Sequence, residues 1–157
     1  MKQLLKKLEA CQEAREWAGD KSWEEIYATC HRGDWLLWLF KKTNPKDLRL
    51  LTLAKGHCAN TVRHLMADQR SINAVDASIA FGEGKISIKE LKAAADAADA
   101  YYAADYAAYA AADYAAASCA AYAAANAAYV DASAKEENQK LTADIVRKYI
   151  PIEKFNI

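Results

Sequence analysis

Cysteine and histidine are the residues of this sequence whose side chains could bind a metal ion or attack a substrate. Four of them form two adjacent pairs, Cys30-His31 and His57-Cys58, while Cys11, His64 and Cys119 stand apart. Structural zinc sites use closely spaced pairs such as CxxC, whereas adjacent residues of a helix point about 100° apart. A Cys–His pair also needs an orienting third group before it can act as a nucleophile, and no local motif supplies one. We therefore predict reduced thiols, no metal, no cofactor and no catalytic residues.

Tyrosine and aspartate are the residues that could recognise a partner, and they lie in an alanine-rich tract at residues 96–129. A step of 100° per residue places Ala or Ser at 93, 97, 100, 104, 107, 111, 115 and 118 on one stripe, the small stripe. Small side chains let a second helix approach closely, so the small stripe is predicted to pack inward. The opposite side would then face outward as a protein-binding surface, formed by Asp99, Tyr102, Tyr106, Tyr109 and Asp113.

The tract also has two interpretations that involve no partner recognition. Alanine has the highest helix propensity and tyrosine is common at the boundary of a core, so the composition is also typical of a purely structural helix. Alternatively, the small stripe could mediate self-association, which would make the protein a structural or assembly protein that forms homodimers.

Helix signals cover the chain before the tract. Apolar spacing from Leu4 to Trp17 predicts one helix that ends at Gly19-Asp20. Ser22 and Glu25 form a capping box that opens a second helix, through Cys30.

Later helix starts are predicted from single capping residues. Asp34 can cap "WLLWLFKK", Asn44-Pro45 places proline at a first helical position, and Ser71 can cap a helix through Phe81. Ser87 and Glu90 form a second capping box at the start of the alanine-rich tract. The same capping box competes with "KISI", the one short strand candidate.

These elements predict an all-α, single-domain helical bundle, in which short N-terminal helices pack with one long Ala-rich helix, straight or bent near Ser118-Cys119. Its parts are a short-helix body at 1–81, a Gly linker at 82–86, the Ala/Tyr-rich long helix at 87–134 and a C-terminal helix and tail at 135–157. A chain of 157 residues is long enough to bury one sizeable core.

The net charge is zero, but its distribution is uneven. Residues 1–92 hold 16 Lys/Arg against 12 Asp/Glu, whereas residues 93–134 hold five Asp and no base. A neutral chain has no global attraction to nucleic acid or to an anionic membrane, so neither is expected as a partner. The N-terminus is amphipathic rather than a signal peptide, and the thiols show no disulfide pattern, which predicts a cytoplasmic location.

Six segments along nearly the whole chain carry a family resemblance: "ACQEAREW" (10–17), "SWEEIYATCHRGDWLLWLF" (22–40), "LAKGHCA" (53–59), "GKISIKELKAAADAADA" (84–100), the alanine-rich tract and "LTADIVRKYIP" (141–151). Together they resemble a family of small bacterial and phage immunity proteins. The resemblance implies an α-helical, non-enzymatic protein that binds a toxin or defence effector, and it brings no catalytic residues. Trp35 and Trp38 anchor its most distinctive segment and are expected in the core. The acidic, tyrosine-bearing side would suit a basic partner such as a nuclease.

Overall fold

A computed structural model describes residues 1–66, 68–102 and 132–157 of the protein. Within these ranges the chain is helical and contains no strand, so the predicted all-α class is confirmed there, and "KISI" is not a strand. Residues 103–131 of the long helix predicted at 87–134 lie outside the described residues, so that helix stays a prediction. The α-helices are α1 (Lys2–Lys7), α2 (Gln12–Ala18), α3 (Trp23–Thr29), α4 (Gly33–Thr43), α5 (Leu48–Asn60), α6 (Gln69–Gly82), α7 (Ile88–Tyr102) and α8 (Ala132–Tyr149), with short 3-10 turns at Arg63–Leu65 and Ile152–Lys154.

Both predicted capping boxes are confirmed. At the start of α3, the Ser22 amide donates to Glu25 Oε2 at 2.7 Å and the Glu25 amide donates to Ser22 Oγ at 3.2 Å. Ser87 and Glu90 make the same reciprocal bonds before α7, at 2.8 and 3.3 Å. Each box satisfies amides that have no partner within their own helix, which fixes the first turn of α3 and of α7.

The single helix predicted up to Gly19-Asp20 is wrong, because the chain breaks between α1 and α2. Glu9 takes a left-handed backbone conformation, with φ of 61°. Its amide donates to the Lys6 carbonyl at 3.1 Å, and the Ala10 amide donates to the Leu5 carbonyl at 2.9 Å. This pair of bonds is the Schellman ending of a helix, with glutamate at the position that usually holds glycine. Leu5 and Ala10 are both buried beneath it, and their burial stabilises the break.

The predicted starts of α4 and α5 are also wrong. Asp34 does not cap α4; it lies in the first turn and binds the Arg32 guanidinium through both carboxylate oxygens, at 2.9 and 2.7 Å. Helix α5 begins at Leu48 rather than at Pro45, because Asp47 accepts a bond from the Leu50 amide at 3.2 Å. Three residues upstream, Pro45 lies in a turn.

Helix α6 begins before its predicted cap. Asp68 is the N-cap and accepts from the Arg70 amide at 2.7 Å, while Ser71 is buried inside the helix. Helix α5 runs without interruption through Gly56, which allows close packing on α6: a Cβ at this position would lie 2.9 Å from Ile79 Cγ1. The glycine therefore serves the packing of α5 on α6.

Helix α8 is central to the packing. It lies against α4 and α5, α5 packs on α6, and α6 packs on α7. Gly33 brings the start of α4 so close to α8 that a Cβ there would be 2.6 Å from the Thr142 carbonyl carbon. The main core contains fully buried side chains from α4, α8 and the residue after α8, namely Leu36, Phe40, Val146 and Ile150. The C-terminal Phe155 closes this core, with its ring 5.2 Å from that of Phe40 and 4.9 Å from that of Trp23.

Helix α7 corrects the predicted orientation of the small stripe. Its buried residues are Leu91, Ala95 and Ala98, whereas Ala93 and Ala97, the first two residues of the small stripe, are exposed. The prediction that the small stripe packs inward is therefore wrong in the part of α7 whose side chains are described. The reason is Leu91: the first turn of α7 carries two large apolar side chains, of which Ile88 is 47% exposed and Leu91 is buried, and the burial of Leu91 sets the rotation of α7 on α6.

Candidate functional site

Two of the three described thiols, Cys30 and Cys58, are buried in the manner of packing residues, whereas Cys11 is exposed. Cys11, Cys30 and Cys58 are free, and Cys119 lies outside the described residues. Burial raises the pKa of the Cys30 thiol and raises that of Cys58 to about 12, so both are protonated at neutral pH. Among the described residues, no group of three His, Cys, Asp or Glu side chains could hold a metal ion.

The predicted protein-binding surface falls almost entirely outside the described part of the chain. Asp99 and Tyr102 belong to the last turn of α7, but their side chains are not described. Tyr106, Tyr109 and Asp113 lie outside the described residues altogether. These five residues stay a prediction.

The described body carries a different candidate, an apolar pocket of about 450 Å³ between the α1–α2 hairpin and helices α3 and α4, called here the tryptophan pocket. Three indoles contribute to it, one from α2 and two from α4, and the charged lining is confined to three side chains. The lining residues are Leu5, Ala10, Cys11, Glu13, Ala14, Trp17, Ala18, Ile26, Cys30, Arg32, Asp34, Trp35, Leu36, Trp38 and Leu39.

The indoles of the pocket come from separate helices. The Trp17 ring lies 6.0 Å from the Trp35 ring and 6.0 Å from the His31 imidazole, which it meets edge-on. Trp35 and Trp38 were expected in the core, but both are only half-buried and line the pocket. The core residues of α4 are instead Leu36, Leu39 and Phe40, of which Leu36 and Leu39 also reach the pocket. Because these rings are already packed against one another, they can give a partner a large contact area and lose little side-chain freedom on binding.

Arg32 organises the polar rim of the pocket. Its guanidinium binds Asp34, reaches Glu13 Oε1 at 3.4 Å and lies 4.5 Å from the centre of the Trp35 ring. The hydrogen bonds that Arg32 donates to Asp34, together with the charges of Asp34 and Glu13, raise the pKa of Arg32 above its ordinary value. This arrangement ties α2 to the start of α4 and fixes the Trp35 indole at the mouth.

A second arginine holds α3 in place behind the pocket. Arg147 of α8 donates to the Tyr27 carbonyl at 2.7 Å and also to the Cys30 carbonyl, which both lie at the end of α3. The Tyr27 hydroxyl in turn donates to the Ile150 carbonyl at 3.0 Å. These bonds satisfy carbonyls that have no partner at a helix C-terminus, and they position Cys30 at the pocket.

Sequence reasoning missed the pocket as a site, although several of its residues stand in the segments that carry the family resemblance. Trp17 closes "ACQEAREW", and Trp35 follows Arg32-Gly33-Asp34 in "SWEEIYATCHRGDWLLWLF". The repeated tryptophans and the Arg-x-Asp spacing were the available signal. What the sequence does not contain is the distance between α2 and α4, which depends on the break at Glu9 and on the packing of α8.

Comparisons with protein-family models, with curated proteins and with solved structures found no match to this chain. The resemblance to the immunity-protein family therefore stays a prediction. Within the residues that the structure describes, none of the helices combines the length and the apolar character required to cross a bilayer.

Proposed function

We propose that this protein is a non-enzymatic binding protein of the immunity or phage counter-defence type, which neutralises a toxin or defence effector by direct protein–protein contact. The observation that carries the proposal is the tryptophan pocket. Tryptophan and arginine are enriched among the residues that dominate binding energy, and such residues cluster around pockets that a partner side chain can fill. The Cys30 thiol of the pocket wall is buried and its pKa is raised, so it is not an activated nucleophile.

The experiment is affinity capture from the native host lysate, with the pocket filled by substitution. Ala14 lines the pocket and is half-buried, so A14F introduces a ring into the cavity while A14S is a matched control that leaves it open. A partner that co-purifies with wild type and A14S, but not with A14F, would support the proposal. A third variant, with Tyr102, Tyr106 and Tyr109 changed to alanine, tests the predicted tyrosine surface in the same experiment.

Other outcomes separate the surfaces. A partner lost only with the triple tyrosine variant would assign the contact to Tyr102, Tyr106 and Tyr109 and would remove the pocket from the proposal. Recovery of the protein alone, as a defined oligomer, would contradict the binder proposal. Far-UV circular dichroism and the unfolding midpoint of each variant control for loss of structure.

A second candidate function, self-association through the small stripe, is favoured by one observation on α7. Ala93 and Ala97 are exposed, so the beginning of the small stripe is open to another helix. If two copies pack there, A97W would convert a dimer to a monomer in small-angle scattering, because the larger side chain prevents close approach. Lys92 is also exposed on α7 but lies off the small stripe, so K92W is the control and should leave the dimer unchanged. A dimer that persists in A97W would exclude this interface.

A further inference from the structure

We propose that the tryptophan pocket takes an aromatic or branched apolar side chain of a basic partner, one that is flanked in the partner sequence by Lys or Arg. The inference rests on the proposed function and states what the pocket selects. It follows from two properties of the site, an apolar interior and a rim whose exposed charges are acidic.

The interior fits an apolar anchor. Its volume of about 450 Å³ exceeds the minimum of typical ligand pockets, which lies near 300 Å³. Ala14, Ala18 and Leu39 line it together with the three indoles, and the Cys30 thiol already donates to the Arg32 carbonyl at 3.5 Å. An apolar side chain would therefore leave few polar groups without a partner, whereas a charged one would lose its hydration.

The rim supplies the charge preference. Glu13 and Asp34 keep 71% and 58% of their side-chain surface exposed, while Arg32 between them keeps 21%. Arg32 already binds both carboxylates and lies over the Trp35 ring, so its own charge is largely compensated. What a partner meets at the rim is chiefly carboxylate oxygen, which favours Lys or Arg beside the anchor.

The other cations near the pocket do not reverse this preference. Lys21 donates to the Trp17 carbonyl and lies 4.5 Å from the centre of the Trp17 ring, so its ammonium group already has two partners within the protein. Helix α1 carries three exposed lysines, but it contributes only Leu5 to the lining. Of the charged side chains that line the pocket, two are acidic and one is basic.

The test compares three short peptides of defined sequence on the wild-type protein. N-acetyl-Lys-Phe-Lys-amide carries the proposed anchor and charges, N-acetyl-Glu-Phe-Glu-amide reverses the charges, and N-acetyl-Lys-Ala-Lys-amide removes the anchor. Binding is followed by NMR through the indole N–H signals of the four tryptophans. We expect the first peptide to bind about five- to tenfold more tightly than the second, which is the scale that two exposed ion pairs supply. The third should leave the indole signals unchanged.

Variants assign the preference to named residues. The double change E13Q/D34N should abolish the five- to tenfold preference for lysine over glutamate and retain the requirement for phenylalanine. E16Q is the matched control, because Glu16 is also exposed on α2 but does not line the pocket. A14F should prevent the first peptide from shifting the indole signals.

Three results would overturn the inference: no binding of the first peptide, equal or tighter binding of the glutamate peptide, or a lysine preference that survives E13Q/D34N. These results are distinguishable from failure of the proposed function. A whole partner that is captured by wild type and lost with A14F, but that shows no such charge preference, would leave the binder proposal standing and remove only the basic partner.

Discussion

Replacing Arg147 with methionine tests how α8 holds the wall of the pocket. The guanidinium donates to the carbonyls of Tyr27 and Cys30 and pairs with Asp144 at 2.9 Å. Methionine keeps most of the aliphatic stem, so the change removes the hydrogen bonds and leaves much of the packing. The two carbonyls then lose their donors at a site that is only partly open to solvent.

The expected loss can be estimated from these bonds. A hydrogen bond to a charged group contributes about 1.5–3 kcal/mol to stability, and water that reaches a partly buried site replaces some of it. For two carbonyls we expect R147M to lower the free energy of unfolding by about 2–4 kcal/mol. In a domain of this size, each kcal/mol corresponds to a fall of about 2–4 °C in Tm. The Asp144 side chain is 75% exposed, so D144N should cost less than about 1 kcal/mol.

Urea unfolding followed by circular dichroism measures these differences, with R147K as an intermediate variant that keeps the charge but has no planar fork. NMR of the indole signals provides a second readout, because Cys30 lines the same pocket as Trp17 and Trp35. We expect R147M, but not D144N, to shift those two signals. If R147M were as stable as D144N, the two carbonyl bonds would contribute nothing and the assignment of Arg147 as the support of α3 would be wrong.

Three further changes have defined outcomes. G33A should lower the free energy of unfolding in urea by about 1–3 kcal/mol, because the new Cβ would lie 2.6 Å from the Thr142 carbonyl carbon. An unchanged free energy of unfolding would mean that α4 and α8 can separate freely. E9G should stabilise it by up to about 1 kcal/mol, since glycine adopts the left-handed conformation of residue 9 without strain, and a loss of stability would contradict that account. The His57 imidazole stacks on the Tyr149 ring, with the ring centres 4.1 Å apart, and burial lowers the pKa of His57 from 6.5. Protonation of His57 therefore favours the unfolded chain. The stability of wild type relative to H57F should therefore be constant above about pH 7 and fall as the pH drops toward 5; a pH-independent difference would refute the role of His57.

The parts of the fold that sequence predicted well depend on contacts within one turn. The Ser22 and Ser87 capping boxes need only a serine and a glutamate three residues apart, so the pattern and the structure coincide. A single Asp or Ser is a weaker signal, because several candidates stand close together. Asp34 binds Arg32 instead of capping α4, and Ser71 is buried within α6. No side chain caps α4, and in α6 the cap is Asp68, three residues before Ser71.

The break between α1 and α2 illustrates a different limit. Residues 4–17 keep a helical apolar spacing across it, and neither glycine nor proline interrupts them. The turn at Glu9 is stable because Leu5 and Ala10 are buried beneath it, a gain that exists only after the hairpin has packed on α3 and α4. The tryptophan pocket depends on the same packing, and so it could not be derived from local pattern.

The rotation of α7 links the two predictions made for the alanine-rich tract. Its buried residues begin with Leu91, and Tyr109 follows eighteen residues later, which is five turns at 3.6 residues per turn. If the 100° step continues past Tyr102, the predicted tyrosine surface falls on the side that α7 buries, and the small stripe falls on the side that is exposed at Ala93 and Ala97. A tyrosine surface facing outward would then require a break in the register.

Thiol labelling at two neighbouring positions decides between these arrangements. In a background without Cys11 and Cys119, we expect a cysteine at Ala107, on the small stripe, to react faster with a maleimide than one at Tyr106, on the tyrosine side. In urea the two labelling rates should become equal, which controls for the intrinsic reactivity of each thiol. Faster reaction at Tyr106 would show that the register changes beyond α7, and the tyrosine side would then be available to a partner. Faster reaction at Ala107 would leave the tryptophan pocket as the recognition site and the small stripe as the surface on which a second copy could pack.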